Sequence, residues 1–254
     1  MKHLYLFFIP FLLFFLLQCN AVDSNIDIIS QIVAGEDSLI SDSLKALFKE
    51  DAARLTLRDI YLDQTKKDSL IILPKDVVES YYRGFIHIYN AESLDARDSV
   101  LVNYKIHALH YPRTHFIEVA FDSTKPWAKE WKNGQRITGD QQIDFLMTTY
   151  NIQLKKYYSF PWYHAAKLFS EEPLNIFALS KRFEPIDGII YAHPMALAGD
   201  GSDIMGIIES NYISYLFSYG WGDCLEGCLH RHYWSFQVRF DGTVLFVNSY
   251  GDPL

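Results

Sequence analysis

The chain has 254 residues, of which 49% are hydrophobic and 16% aromatic. That excludes a disordered polymer and allows one large domain or two small ones around a sizeable core. The formal charge is −8, and removing residues 1–21, whose only formally charged side chain is Lys2, takes it to −9. A surface this acidic argues against nucleic acid as a partner.

Met1, Lys2 and His3 precede an apolar run over residues 4–17, broken only by Pro10. The run is too short to cross a bilayer as a stable helix and reads as an export signal. Cleavage is expected either after Ala21, with Cys19 and Ala21 supplying the small residues, or before Cys19, which then carries a lipid. Leu16-Leu17-Gln18-Cys19 resembles a bacterial lipoprotein signal, with Gln18 standing where a small residue is usual. The expectation is a protein exported to the periplasm or cell surface and membrane-anchored through Cys19, plain secretion being the alternative. Residues 22–40 are small, acidic and weakly periodic, as a tether would be.

Residues 41–105 read as a helical segment. Ser41 is placed to cap a helix carrying Leu44, Leu47 and Phe48, and Pro74 opens a second with Val77, Val78, Tyr81, Phe85 and Ile88 at helical spacing. Both are expected to pack on the segment that follows. In residues 106–198 a strand is expected over 115–122, where Ile117, Val119 and Phe121 alternate with the opposite face. Pro126 then begins a helix bearing Trp127 and Trp131. Ile143, Leu146, Met147 and Tyr150 mark another, closed by Asn151 in the left-handed conformation. Strands over 152–158 and 163–169 form a hairpin, Asn175 caps a helix with Ile176, Leu179 and Phe183 inward, and 189–193 is a last strand. The order strand, helix, strand, strand, helix, strand is that of a ferredoxin-like βαββαβ domain.

From residue 199 the pattern is an antiparallel β-meander: strands over 204–208 and 212–219, a cysteine bend, and two strands around Asp241-Gly242. A two-residue loop there would pair Val238 with Leu245, Phe236 with Val247 and Trp234 with Ser249, setting Trp234, Phe236, Val238, Leu245 and Val247 on one apolar face. The fold class is therefore α+β: two helices, a ferredoxin-like domain, then the meander.

The bend W-G-D-C-L-E-G-C-L-H-R-H-Y-W concentrates what chemistry the chain offers. A strand starting at Cys228 would point Cys228, His230 and His232 to one face. In an oxidising compartment Cys224 and Cys228 are the only intramolecular pair, and Gly222 and Gly227 permit the tight turn of a short disulfide ring. Such a ring contributes less than the roughly 3 kcal/mol of a fifteen-residue loop. The alternative is zinc or copper held by Cys224, Cys228, His230 and His232, although the spacing fits no standard zinc motif. As a redox pair the motif is poor, since two intervening residues before a helix are usual. The plainer role for each histidine is an imidazole satisfied by a backbone carbonyl at the core edge, and for Asp223 a cap on the bend.

Thinner candidates are His107, His110 and His115 with Glu118, as ligands or as acid and base, and the loop Asp200-Gly201-Ser202-Asp203, whose oxygens suit calcium but also suit a turn. No G-x-S-x-G, phosphate-binding glycine loop or H-E-x-x-H occurs.

Two resemblances bear on these readings. The stretch I-F-A-L-S-K-R-F-E-P-I-D-G-I-I-Y-A-H-P resembles the end of subtilisin-type protease propeptides, which share the ferredoxin-like fold, and this implies a sheet face or edge able to dock a partner, a protease inhibitor among the options. The run from Ser218 through the bend to Val244, with I-H-A-L-H-Y-P-R and a terminal G-D-P, resembles a group of uncharacterised exported bacterial proteins, often lipoproteins. The residue after the first cysteine is often proline in that group and is Leu225 here. Together these readings favour a non-enzymatic binding module whose partner is a protein or the cell envelope, with no cofactor, over a metal-dependent protein.

Overall fold

The structure is a computed structural model that describes residues 29–32, 40–109, 113–195 and 199–254. The expected signal, Cys19 and His110 lie outside the described residues.

The first described element is unforeseen. Within the expected tether, β1 (Ile29–Ile32) is a strand added to the edge of a sheet. Helix α1 (Asp42–Leu62) begins at Ser41, whose hydroxyl accepts from the Leu44 amide, and turns on through a short α2 (Gln64–Lys67). Helix α3 (Lys75–Asn90) starts after Pro74 and buries Tyr81, Phe85 and Ile88 on one stripe. A single turn α4 (Asp95–Arg97) and a π-turn over Asp98–Asn103 complete the helical segment.

These helices do not pack chiefly on the segment that follows them. Phe48, Leu55, Tyr81 and Phe85 share one core with Ile213, Tyr215, Phe217, Trp234 and Phe236, so their main partner is the C-terminal sheet. That sheet has the larger uncovered apolar face, whereas the intervening unit brings its own helices. Leu47, expected on the buried stripe, is exposed, and α1 instead uses a second side, where Ala53, Leu57 and Ile60 pack on Leu73 and Phe177.

The intervening unit follows the expected element order closely. Strand β2 (Phe116–Phe121) is followed by α5 (Ala128–Lys132) and α6 (Gln141–Thr149), then by β3 (Ile152–Ser159) and β4 (His164–Ser170), then by α7 (Ile176–Phe183) and β5 (Ile189–Pro194). The sheet order is β3-β4-β2-β5 with every pair antiparallel. Trp127, Trp131, Ile143, Met147 and Phe183 fill the core between its helices and Val119, Phe121 and Leu168. Asn151 takes a left-handed φ of 47° at the end of α6, and the Asn175 carboxamide oxygen accepts from the Phe177 and Ala178 amides. The Asn175 side chain also donates to Lys67 O and Leu70 O, tying this unit to the loop after α2.

The C-terminal strands β6 (Asp203–Ile208), β7 (Tyr212–Trp221), β8 (His230–Arg239) and β9 (Thr243–Gly251) form an antiparallel sheet in the order β1-β9-β8-β7-β6. The expected β8–β9 register holds at Trp234↔Ser249 but not at the turn, where Val238 pairs with Val244 and Phe236 with Phe246. Arg239 O accepts from the Gly242 amide and Gly242 has a φ of 89°, so the loop has three residues, Phe240, Asp241 and Gly242, with the glycine in the left-handed position. A bulge beside Ser235 and Phe236 then restores the register. Consequently Val244 joins the buried face in place of Leu245 and Val247.

Candidate functional site

In the bend, the Cys224 and Cys228 sulfurs lie at disulfide distance. The turn is held by Asp200, which accepts from the Cys228 amide at 3.0 Å and the Arg231 guanidinium at 2.6 Å and whose own amide donates to Cys224 O. These bonds keep the Asp200 carboxyl near 2, below its ordinary range. Asp223 caps the bend by accepting from the Leu225 amide.

The expected common face of Cys228, His230 and His232 does not form. Strand β8 starts only at His230, and the Cys228 sulfur lies on the side of Gly220, where a Cβ would come within 2.6 Å of it. His230 and His232 pair with Trp221 and Tyr219, which face the other way. His230 stacks on Trp221 and faces the Asp252 carboxylate, while His232 Nδ1 lies 2.7 Å from Asp252 O against Trp234. Among the described residues no three of His, Cys, Asp or Glu gather as a metal site. His232 thus has the carbonyl partner expected of a core-edge imidazole.

His107 and His115 are also structural partners. His107 Nδ1 lies 2.7 Å from Asp51, whose other oxygen accepts from the Ala108 amide. His115 bridges Ser170 O and Glu50, and Glu50 also binds Arg54 and Thr114. Burial opposes the ionised form of Glu50, but the bonds from His115 and the Arg54 charge outweigh it and bring its pKa to about 2. The same pairing outweighs desolvation of His115 and raises its pKa above 6.5. Glu118 accepts from the Tyr191 hydroxyl. In the proposed calcium loop, Asp200 is engaged with Arg231 and Asp203 with Arg58.

A developed concavity lies elsewhere among the described residues. A cleft of about 640 Å³ opens between the C-terminal half of α1 and the sheet, lined by Met205 and Ile207 of β6, Leu216 of β7 and Val247 of β9. Helix α1 adds Leu55, Tyr61 and Leu62, the inserted unit adds Phe177, and β9 adds Tyr250. Its volume is in the range that holds small ligands, and its surface is overwhelmingly apolar. Its shape depends on Gly206, whose absent Cβ would lie 2.6 Å from the Tyr81 ring and 2.9 Å from Leu55, so glycine lets β6 close against the helices. Arg58 fixes the same approach by donating to Ile204 O at 2.6 Å, Leu109 O at 3.3 Å and Asp203 at 2.9 Å.

Two ionisable side chains of the opposite sign line the cleft, Arg58 and Asp59. Asp59 accepts a 2.7 Å bond from the Tyr81 hydroxyl, and burial raises its pKa above 3.8 against the lowering effect of that bond. Tyr81 is pushed up in turn by burial and by the Asp59 charge.

Sequence reasoning overlooked this cleft because it assigned the meander a single apolar face. The signal was present in Ile204-Met205-Gly206-Ile207-Ile208, apolar at both parities: Ile204 is buried in the core while Met205 and Ile207 are exposed toward the cleft. No family model, no curated protein and no solved structure matches the chain.

Proposed function

We propose that this protein is an exported, non-enzymatic binding module, anchored through a lipid on Cys19 at the periplasmic or outer cell surface, that receives an apolar ligand in the cleft between α1 and the meander. The observation that carries this reading is the cleft itself: Met205 and Ile207 are 52% and 59% exposed, an uncommon cost for neighbouring large apolar side chains on one strand unless something covers them. The inserted unit fits a ferredoxin-like arrangement, supported by the order β3-β4-β2-β5 with helices after β2 and β4. Its part in this reading is to supply Phe177 to the cleft rim.

The test uses N-phenyl-1-naphthylamine, a neutral apolar fluorophore, with the chain from residue 22 onward. Saturable binding at one site, lost in Met205→Glu and Ile207→Glu, is the expected result. Binding untouched by either substitution would remove the cleft from consideration. Fractionation of cells carrying wild type and Cys19→Ala tests the anchor separately, the variant moving from the membrane to the soluble exported fraction.

A further inference from the structure

The charge arrangement inside the cleft narrows the ligand class, an inference that rests on the cleft being the ligand site. The Arg58 charge is paired with the Asp203 carboxylate, and its guanidinium also donates to two carbonyls. Asp59 is different. Its one bond within the described residues is from the Tyr81 hydroxyl, and no cation contributes to the stabilisation of its carboxylate. A carboxylate accepts up to four hydrogen bonds, so Asp59 retains acceptor capacity on the wall of an apolar cleft, where an uncompensated charge is costly.

Lys67 Nζ lies 4.0 Å from the centre of the ring of Tyr61, a cleft-lining residue. That ring packs 4.9 Å from Phe177, so aromatic surface able to face a cation flanks the same opening. A group supplying both positive charge and N–H donors would satisfy Asp59, while an alkyl or aryl body would cover Met205, Ile207 and Leu216.

We infer that the cleft binds an amphiphilic cation, an ammonium or amidinium group on an apolar body, with the cationic head on Asp59 and the body along β6 and β7. A neutral amphiphile would gain the apolar contact and at most one uncharged hydrogen bond, and an anionic one would meet the Asp59 carboxylate.

Three probes of equal chain length separate these cases: dodecylamine, dodecanol and dodecanoate, each displacing N-phenyl-1-naphthylamine at pH 7 and below its aggregation concentration. The amine is expected to bind ~10-fold tighter than the alcohol, the scale of one partly desolvated ion pair, and dodecanoate more weakly than either. Asp59→Asn should bring the amine to the level of the alcohol, the amine losing more than the alcohol. Leu62→Lys provides a second variant at a position 80% exposed, so its folding is not at risk. One helical turn from Asp59, the new ammonium should neutralise the carboxylate and abolish the preference for the amine. Equal binding of amine and alcohol to the wild type, or equal losses for both in Asp59→Asn, would overturn the cation assignment while leaving an apolar site. Failure of all three probes to displace the fluorophore would overturn the cleft reading and this inference together.

Discussion

The contact between Arg58 and Asp203 sets how α1 meets the edge strand β6, and its energy can be isolated by a double-mutant cycle. Both side chains are about three-quarters buried, with 22% and 23% of their surface exposed. Asp203 Oδ1 also accepts from the Leu109 amide at 2.6 Å and the Ile204 amide at 2.8 Å. Asp203→Ala therefore removes three acceptor contacts and leaves the guanidinium with carbonyls only. Charge-assisted bonds contribute roughly 1.5–3 kcal/mol each when buried, and an abandoned buried charge costs about 3–5 kcal/mol. Solvent reaches a fifth of each group, so a loss of about 2–3 kcal/mol is expected for Asp203→Ala and about 2 kcal/mol for Arg58→Met. Once either partner is gone the other has less to lose, and the double variant should be about 1.5 kcal/mol more stable than the sum of the singles predicts. Urea denaturation of the four proteins at one pH and salt concentration, analysed with a shared m value, measures this coupling. Coupling below about 0.3 kcal/mol would mean that the ion pair is incidental and that α1 is held to β6 by apolar packing and the Arg58 bond to Ile204 O.

Three further outcomes follow from contacts described above. Glu50, with a folded pKa of about 2 against 4.5, stabilises the fold above pH 4.5 and loses that contribution as pH falls toward 2. His115, raised above 6.5, contributes below pH 6.5 and loses its share as pH rises through the folded value, so the gap in unfolding free energy between wild type and Glu50→Gln, measured by urea denaturation, should be widest between pH 4.5 and 6.5, at about 2 kcal/mol. Replacing both Cys224 and Cys228 by serine opens a ring of sequence separation 4, for which loop entropy gives about 2 kcal/mol at most. Thermal melting of that variant should remain a single transition at lower temperature, and wholesale unfolding at 25 °C would refute a merely local role. Gly206→Val places methyl groups where the Tyr81 ring and Leu55 already stand, and should cost about 3 kcal/mol or more and abolish fluorophore binding, an effect checked by urea melts alongside the binding assay.

What the sequence disclosed was local. The caps Ser41 and Asn175 and the left-handed Asn151 act within a few residues, and each stands where its chemistry puts it. The alternation of Ile117, Val119 and Phe121 likewise determined which side of β2 meets its helices. Partner choice was hidden. Nothing near Tyr81 or Phe85 indicates that their partners are Tyr215 and Phe217 rather than the strands that come next. The β8–β9 turn misled because Asp241-Gly242 serves equally in two-residue and three-residue loops, and only the compensating bulge distinguishes them. For the candidate site, the Cys and His bend was conspicuous by residue type, whereas the cleft is built from ordinary apolar residues whose exposure is a property of the assembled sheet.

The interruption of the larger core by a whole sheet of its own has a temporal side. Phe48, Tyr81 and Phe85 are synthesised more than a hundred residues before Tyr215, Phe217 and Trp234, the side chains that finally cover them. At roughly 5–20 residues per second, that leaves the apolar flanks of α1 and α3 waiting on the order of ten seconds for their cover. During the same interval the inserted unit can complete itself, because its first and last strands, β2 and β5, lie side by side and all of its strands precede residue 199. Such a chain matures from the middle outward, and the nascent protein passes through a stage in which a finished inner unit carries two sticky helices, a state that invites either a holding chaperone or misassociation with a second copy.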